Sequence, residues 1–326
     1  MRVLAAVDHF GPGTSATDVA RAVALGVSRG GSRCEELPLS TGGSGFLAAF
    51  GGANRRTLVM GPLGDAVEAL WQLKGSTAVI ESGLASGLHL VGGPEGNDPI
   101  AAGTHGTGEL IVAAAESGAR RIIIGVGGNA ATDGGLGAIR AVFPPSRLRG
   151  VRMIVACDVD ILFLDAAVAF AEAKGATPAQ IKLLRRRLER LVQVYRDQYE
   201  VDVSELWGSG AGGGLAGGLA ALGAELLPGA GVVADELDLA WQIEQADLVI
   251  TAEAFLDEHS FNQGVVGIVQ DQAEKLGIPC VALTTQTFDN VDGRMPVVMV
   301  PPAATADILL TNVTHAVERY TADLTG

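Results

Sequence analysis

The chain reads as an α/β protein of two domains: a flavodoxin- or Rossmann-like parallel-sheet domain with a second α/β domain inserted into it. Three observations predict this. Short apolar runs alternate with stretches of helical periodicity, the pattern of parallel strands joined by helices. The first strands and the last three share that parallel style, whereas the middle of the chain has an antiparallel flavour. A length of 326 residues fits two domains or one large α/β unit. The expected boundaries are 1–60 with 245–326 for the discontinuous flavodoxin-like domain, and 61–244 for the insert.

The elements follow in order. Residues 2–7 form an apolar run that ends at Asp8 and read as the first strand. Residues 17–28 read as its helix, because Val19, Ala20, Val23 and Val27 recur on one face. A second strand is predicted over 34–39. Residues 58–60, 67–73 and 77–81 read as successive strands with tight turns. A helix over 108–117 precedes a buried strand over 121–126, and 153–157 is another strand. Residues 178–197 form a long helix with Arg185, Arg186 and Arg187, whose charges suit a solvated amphipathic face. A glycine-rich loop is expected over 208–218. The closing strands are 247–251, 279–283 and 297–300.

Composition narrows the function. The net charge of -14 repels nucleic acid and anionic lipid, so neither is an expected partner. An anionic ligand would need glycine-rich backbone, helix N-termini, a metal or a few basic residues. The three cysteines, Cys34, Cys157 and Cys280, sit in strand-like stretches without regular spacing. They are expected to be buried, reduced thiols in a cytoplasmic protein. The N-terminal apolar run is too short for a signal peptide, and no run is long enough to span a bilayer.

Common phosphotransferase signatures are missing. A P-loop needs Lys followed by Ser or Thr, and Lys74, Lys174, Lys182 and Lys275 all lack that neighbour. Gly125, Gly127 and Ala130 follow a strand in the form of a dinucleotide fingerprint. Gly134 and Gly135 then fall where the helix should start, which argues against a nicotinamide cofactor. Four glycine loops lie after strands or at helix starts, over 41–45, 103–109, 127–135 and 208–214. Glycine lets backbone N–H groups converge on an anion, so several such loops point to a phosphate or carboxylate site. Carboxylates recur at strand ends: Asp8, Asp158, and Glu253 with Asp257. There a carboxylate can bind Mg²⁺ or take a proton from a hydroxyl, or simply cap the next helix.

These segments resemble the class I glycerate kinase (glycerate 2-kinase) family along nearly the whole chain. The likeness is carried by Asp8-His9-Phe10 through Ser15, by 38–45, 61–64, 78–81 and 85–88, and by Thr104-His105-Gly106-Thr107-Gly108-Glu109-Leu110. It continues over 127–137, Ala156-Cys157-Asp158, Lys174-Gly175-Ala176, 208–218 and 247–257. The resemblance implies a flavodoxin-like domain with an inserted α/β domain and the site between them. It implies transfer of the ATP γ-phosphate to D-glycerate with Mg²⁺, mostly giving 2-phosphoglycerate. The implied partners are a nucleotide and glycerate or a similar hydroxy acid, and a homodimer is among the expectations. Catalytic candidates are Asp8, Asp133, Asp158 and Asp257. Substrate- or phosphate-binding candidates are Ser15, Gly42, Gly43, Thr107, Gly127, Gly128, Asn129, Lys174, Gly212, Gly213 and Glu253. The Mg²⁺ candidates are Asp133, Asp158 and Glu253.

The departures fall on charged positions. The family's Asp-Ser-Phe-Lys-Gly motif has Gly11 at its Lys, and Ala-Asp-Gly-Gly-Glu-Gly has Thr41 and Ser44 at its Asp and Glu. Asn129, Ala131 and Thr132 replace the Ser, Thr and Asn of the motif that keeps Asp133. In Gly-Glu-Gly-Arg-Ile-Asp, Glu253 and Asp257 stay, while Ala252, Ala254 and Phe255 replace both glycines and the Arg. The following Gly-Lys pair falls on Gln263-Gly264, and a longer family segment is cut short near 143–149. Two readings follow: an active kinase with altered site chemistry, or a catalytically impaired member that binds a ligand or partner. Lysine restored at Gly11 and Gly264 is expected to change ligand binding more than stability.

Overall fold

The fold is described from a computed structural model, in which residues 1–11, 13–288 and 293–325 are placed. The described chain divides into two compact units, one of residues 1–41 and 230–326 and one of residues 42–229.

The discontinuous unit holds a five-stranded sheet. In space its strands run Arg33–Pro38, Arg2–Val7, Leu248–Ala252, Cys280–Thr284 and Val297–Met299, all parallel. Numbered along the chain, this is the 2-1-3-4-5 order of flavodoxin-like sheets. Strand Leu248–Ala252 is buried along its whole length, as its unbroken apolar sequence requires of a central parallel strand. Helix Ala16–Arg29 packs through Val19, Val23 and Val27 into one core with Val313, Ala316 and Val317 of helix Ala306–Thr325.

The second unit holds a six-stranded sheet in sequential order: Arg55–Met60, Ala66–Lys74, Thr77–Glu81, Arg121–Gly125, Arg152–Cys157 and Glu225–Pro228. The first three strands are antiparallel and the last four parallel. Trp71, Ile80, Ile111, Ile122, Ile124, Val155 and Leu215 share its main core. A satellite core forms under helix Pro178–Tyr199, where Leu184, Leu188, Leu191 and Tyr195 pack around Phe163.

The unit boundaries differ from the expected positions near 60 and 245. The segment after residue 41 is tied to the second sheet. Glu81 at the end of strand Thr77–Glu81 accepts from Gly45 N at 3.2 Å and Leu47 N at 3.0 Å. At the other end, helix Leu239–Glu244 packs on helix Val265–Leu276 and so belongs to the first unit. The loop expected over 208–218 is partly helical, with helix Leu215–Ala221 preceded by a 3₁₀ turn at Ala211–Gly213. Its glycines serve close packing, since a Cβ on Gly217 would lie 2.4 Å from the Phe163 ring. Of the cysteines, only Cys157 is buried; Cys34 and Cys280 are half-buried at strand positions near the sheet margins, and all three are free.

Candidate functional site

In the second unit, parallel strands end on loops that gather most of the glycines singled out above. Strand Arg121–Gly125 runs into Gly127, Gly128 and Asn129, and strand Arg152–Cys157 runs into Asp158. Gly127, Gly128, Asn129, Asp158, Lys174, Gly212 and Gly213 line one pocket of about 250 Å³, together with Leu88, Val159, Phe170 and Ala173.

Asn129 locks the pocket's loops together. Its amide donates to Val126 O at 3.0 Å and Gly212 O at 3.4 Å, and its carbonyl accepts from the Ser82 hydroxyl at 3.0 Å. Gly127 lies so close to its neighbours that a Cβ there would sit 2.6 Å from both the Asp158 carboxylate and Gly43 Cα. Gly42 joins the same edge, accepting from Gly127 N at 3.2 Å.

Lys174 is the cation of this pocket. Its ammonium is buried and donates to Ala131 O at 2.6 Å and to Thr132 Oγ1 at 3.3 Å. Burial pulls its pKa down to about 8, against the opposing pull of Asp133 and Asp158. Gly213 presses against it, at φ +73° and with room for no Cβ: one would lie 2.1 Å from Ala131 O and 2.9 Å from the ammonium. Asn97, which the sequence reading overlooked, holds the assembly from behind by donating to Ala130 O at 3.2 Å and Lys174 O at 2.9 Å. Nothing in its local sequence marks it.

Two candidates in this unit have other work. Asp133 accepts from Thr104 N, Gly135 N and Gly137 N, each at 3.0 Å, and from the Thr104 hydroxyl at 2.9 Å. It ties the start of helix Leu136–Val142 to the residue before helix His105–Glu116, and its oxygens are committed. Thr107 is fully buried and pairs with the Ser86 hydroxyl at 2.8 Å, away from the pocket lining.

In the first unit, Asp8 and Glu253 follow the carboxyl ends of neighbouring strands, where the strand order reverses. Open α/β sheets bind ligands at such a switch point. Asp8 accepts from His9 N at 2.6 Å and from the His9 ring at 3.0 Å, and this pairing raises the histidine's pKa. His9 was also overlooked; its place beside Asp8 was the available signal. Burial pushes the Glu253 carboxyl up to about 7, with the charges of Asp8 and Asp257 adding to it, and Glu253 Oε2 is buried without a hydrogen-bond partner. Ser15 and Asp257 are helix caps: each forms a capping box, Ser15 with Asp18 and Asp257 with Ser260.

Of the Mg²⁺ candidates, Asp133 already accepts from Thr104, Gly135 and Gly137, Asp158 lies in the second unit and Glu253 in the first. Among the described residues, no group of three or more His, Cys, Asp or Glu side chains is arranged to hold a metal. The vacated lysine positions are also less open than expected. Gly11 is at φ +93°, and a Cβ on Gly264 would lie 2.6 Å from Ser260 O and 2.9 Å from Ser260 Cα. Both backbones resist the side chain that the family places there.

Comparison with known proteins bears on this arrangement. The profile of the glycerate kinase family matches residues 3–143 and 144–300, two stretches that abut where the sequence reading placed the shortened segment. Glycerate 2-kinase of Escherichia coli K12 is 34% identical over 89% of this chain and 87% of its own length. An uncharacterised protein of Mycobacterium bovis is 38% identical over 88% of this chain and 79% of its own. A crystal structure from Salmonella typhimurium LT2, assigned as glycerate kinase 2, superposes with a TM-score of 0.83 at 30% identity, covering 100% of this chain and 98% of that one.

Proposed function

The chain belongs to the glycerate kinase family, and we propose that it phosphorylates D-glycerate with ATP, slowly, on the 2-hydroxyl. The observation that carries this is the buried Lys174 ammonium set among the glycine loops of a pocket of about 250 Å³. A chain of net charge -14 attracts an anion only where such a local arrangement reverses the field.

In this reading Lys174 and the backbone N–H groups of 128–129 and 212–213 receive phosphate or carboxylate oxygens. Asn129 and Asn97 keep those loops in place. Asp8, oriented by His9, is the first unit's candidate to accept a proton from a substrate hydroxyl. Mg²⁺ is commonly bound through one or two carboxylates and the nucleotide phosphates, so no ready-made cage is required. Either Asp158 at the pocket or Glu253, with its buried unpartnered oxygen, would offer such a carboxylate; Asp133, already covered by donors, is less suited. When bound, Mg²⁺ neutralises charge on the transferring phosphate. Asp133 and Asp257 act as positioning residues. Three free cysteines favour a cytoplasmic setting.

A second reading, binding with turnover lost, is favoured by a specific observation. Phe255 stands half-exposed where the family has Arg, and Gly11 and Gly264 carry no cation. Each missing cation of this kind costs roughly 10²–10³ in rate. A coupled ADP-release assay with D-glycerate and Mg-ATP, run beside an active family member, separates the readings.

A further inference from the structure

Helix Pro178–Tyr199 carries six basic residues against two acidic ones, on a chain whose net charge is -14. The function above uses none of them. Leu184, Leu188, Leu191, Val192 and Tyr195 form its buried stripe. Arg187 and Arg190 stand at the edge of that stripe, one helical turn apart, and both line a pocket of about 320 Å³. Small-molecule pockets run from roughly 300 to 1,000 Å³.

The pocket's chemistry is two-sided. Its walls are apolar, with Ile100, Leu136, Leu184 and Leu191. Its rim is cationic. Arg187 Nη1 donates to Ile100 O at 2.8 Å, which fixes that side chain against the wall, and Arg190 Nη1 donates to Gln193 at 3.3 Å. A guanidinium has five N–H donors, so both retain donors for a ligand. Asp133 is the carboxylate in the lining, and its oxygens are already covered by Thr104, Gly135 and Gly137. An adjoining hollow of about 490 Å³ shares Leu136 and Leu191 and continues the apolar wall to Phe143.

We propose that this pocket binds a medium-chain apolar monocarboxylate. The carboxylate is held between Arg187 and Arg190, and the chain lies along Leu136 and Leu191 toward the second hollow. A cation would be repelled by the arginines, and a highly charged polar anion would leave the leucine walls unused. The pocket also backs onto the candidate site, because the Thr132 that lines it accepts from the Lys174 ammonium on its other side. Binding here does not depend on phosphoryl transfer and can be read without it.

The test is calorimetric titration of the intact protein with octanoate as probe. Saturable one-site binding is expected. It should weaken at least about tenfold in the Arg187→Gln/Arg190→Gln variant, the loss of roughly one charge-assisted contact. Arg186→Gln, on the same helix but outside the pocket, should bind as the wild type does. Octan-1-ol and octylammonium should each bind at least about tenfold more weakly than octanoate, for lack of the carboxylate charge. Thermal unfolding checks that each variant is folded. No saturable octanoate binding at millimolar concentration, equal affinity in the folded double variant, or equal binding of the alcohol would each overturn the proposal.

Discussion

Lys174 is the residue on which the proposed anion site turns, and its titration makes that proposal testable. Burial lowers its pKa from 10.5 to about 8. Below the folded value the ammonium is protonated in both folded and unfolded chains. Between the two values only the unfolded chain holds the proton, so this group makes the protein more stable as pH rises from about 8 to 10.5. Ligand binding should move the other way, because the cation is lost over the same range. Affinity for Mg-ATP, measured by calorimetry, is expected to fall as pH rises through about 8. In Lys174→Met it should be weak and flat with pH. A wild-type profile as flat as the variant's would remove Lys174 from the site.

The lost cations are a residue-scale matter too, and restoring them is not a simple reversal. A Cβ on Gly264 meets the Ser260 backbone, which cannot swing aside as a side chain would. Gly264→Lys should therefore destabilise the protein by roughly 1–3 kcal/mol, the usual cost of forced overpacking. Gly11→Lys has space around it but needs left-handed backbone, at a cost of about 1 kcal/mol or more. An unchanged melting temperature for Gly264→Lys would show that the loop yields at no cost. The family's motifs mark these positions but carry no record of the backbone closed around them.

At the scale of elements, three candidate site residues, Ser15, Asp133 and Asp257, turn out to hold helices, and the first two do so to different degrees. Ser15 caps an exposed helix end, and Ser15→Ala should cost about 1 kcal/mol with nucleotide binding unchanged. Asp133 receives four donors from three residues, Thr104, Gly135 and Gly137. Asp133→Ala strands those donors, at roughly 1–3 kcal/mol for each one left buried and unpaired. Denaturant unfolding should show a markedly larger loss for Asp133→Ala than for Ser15→Ala, and equal losses would contradict the structural role. Asp133 was legible in sequence as an acidic residue in a glycine loop; that its oxygens face backbone N–H groups was not. The same limit applied to 208–218. Its glycines read as a loop because glycine disfavours helices, yet Gly217 is required by the Phe163 ring packed on the helix. Long-range packing outweighed local propensity there.

For the whole molecule, the parallel strands were legible because strands buried on both faces leave continuous apolar runs, as in 3–7, 122–125 and 248–252. The strand order that makes the first unit flavodoxin-like needed the structure, since the chain leaves that sheet and returns after residue 229. The unit boundary at 41/42 was also hidden, because it is set by where the backbone N–H groups of Gly45 and Leu47 find Glu81. What emerges is a member of the glycerate kinase family with a buried lysine among glycine loops, for which we propose slow phosphoryl transfer. The direct test is turnover in a coupled ADP-release assay with saturating D-glycerate and Mg-ATP. A rate below about 1 s⁻¹ is expected, under the roughly 1–10³ s⁻¹ typical of enzymes. A rate within that range, lost in Lys174→Met, would keep the site and contradict the claim that its missing cations slow the reaction.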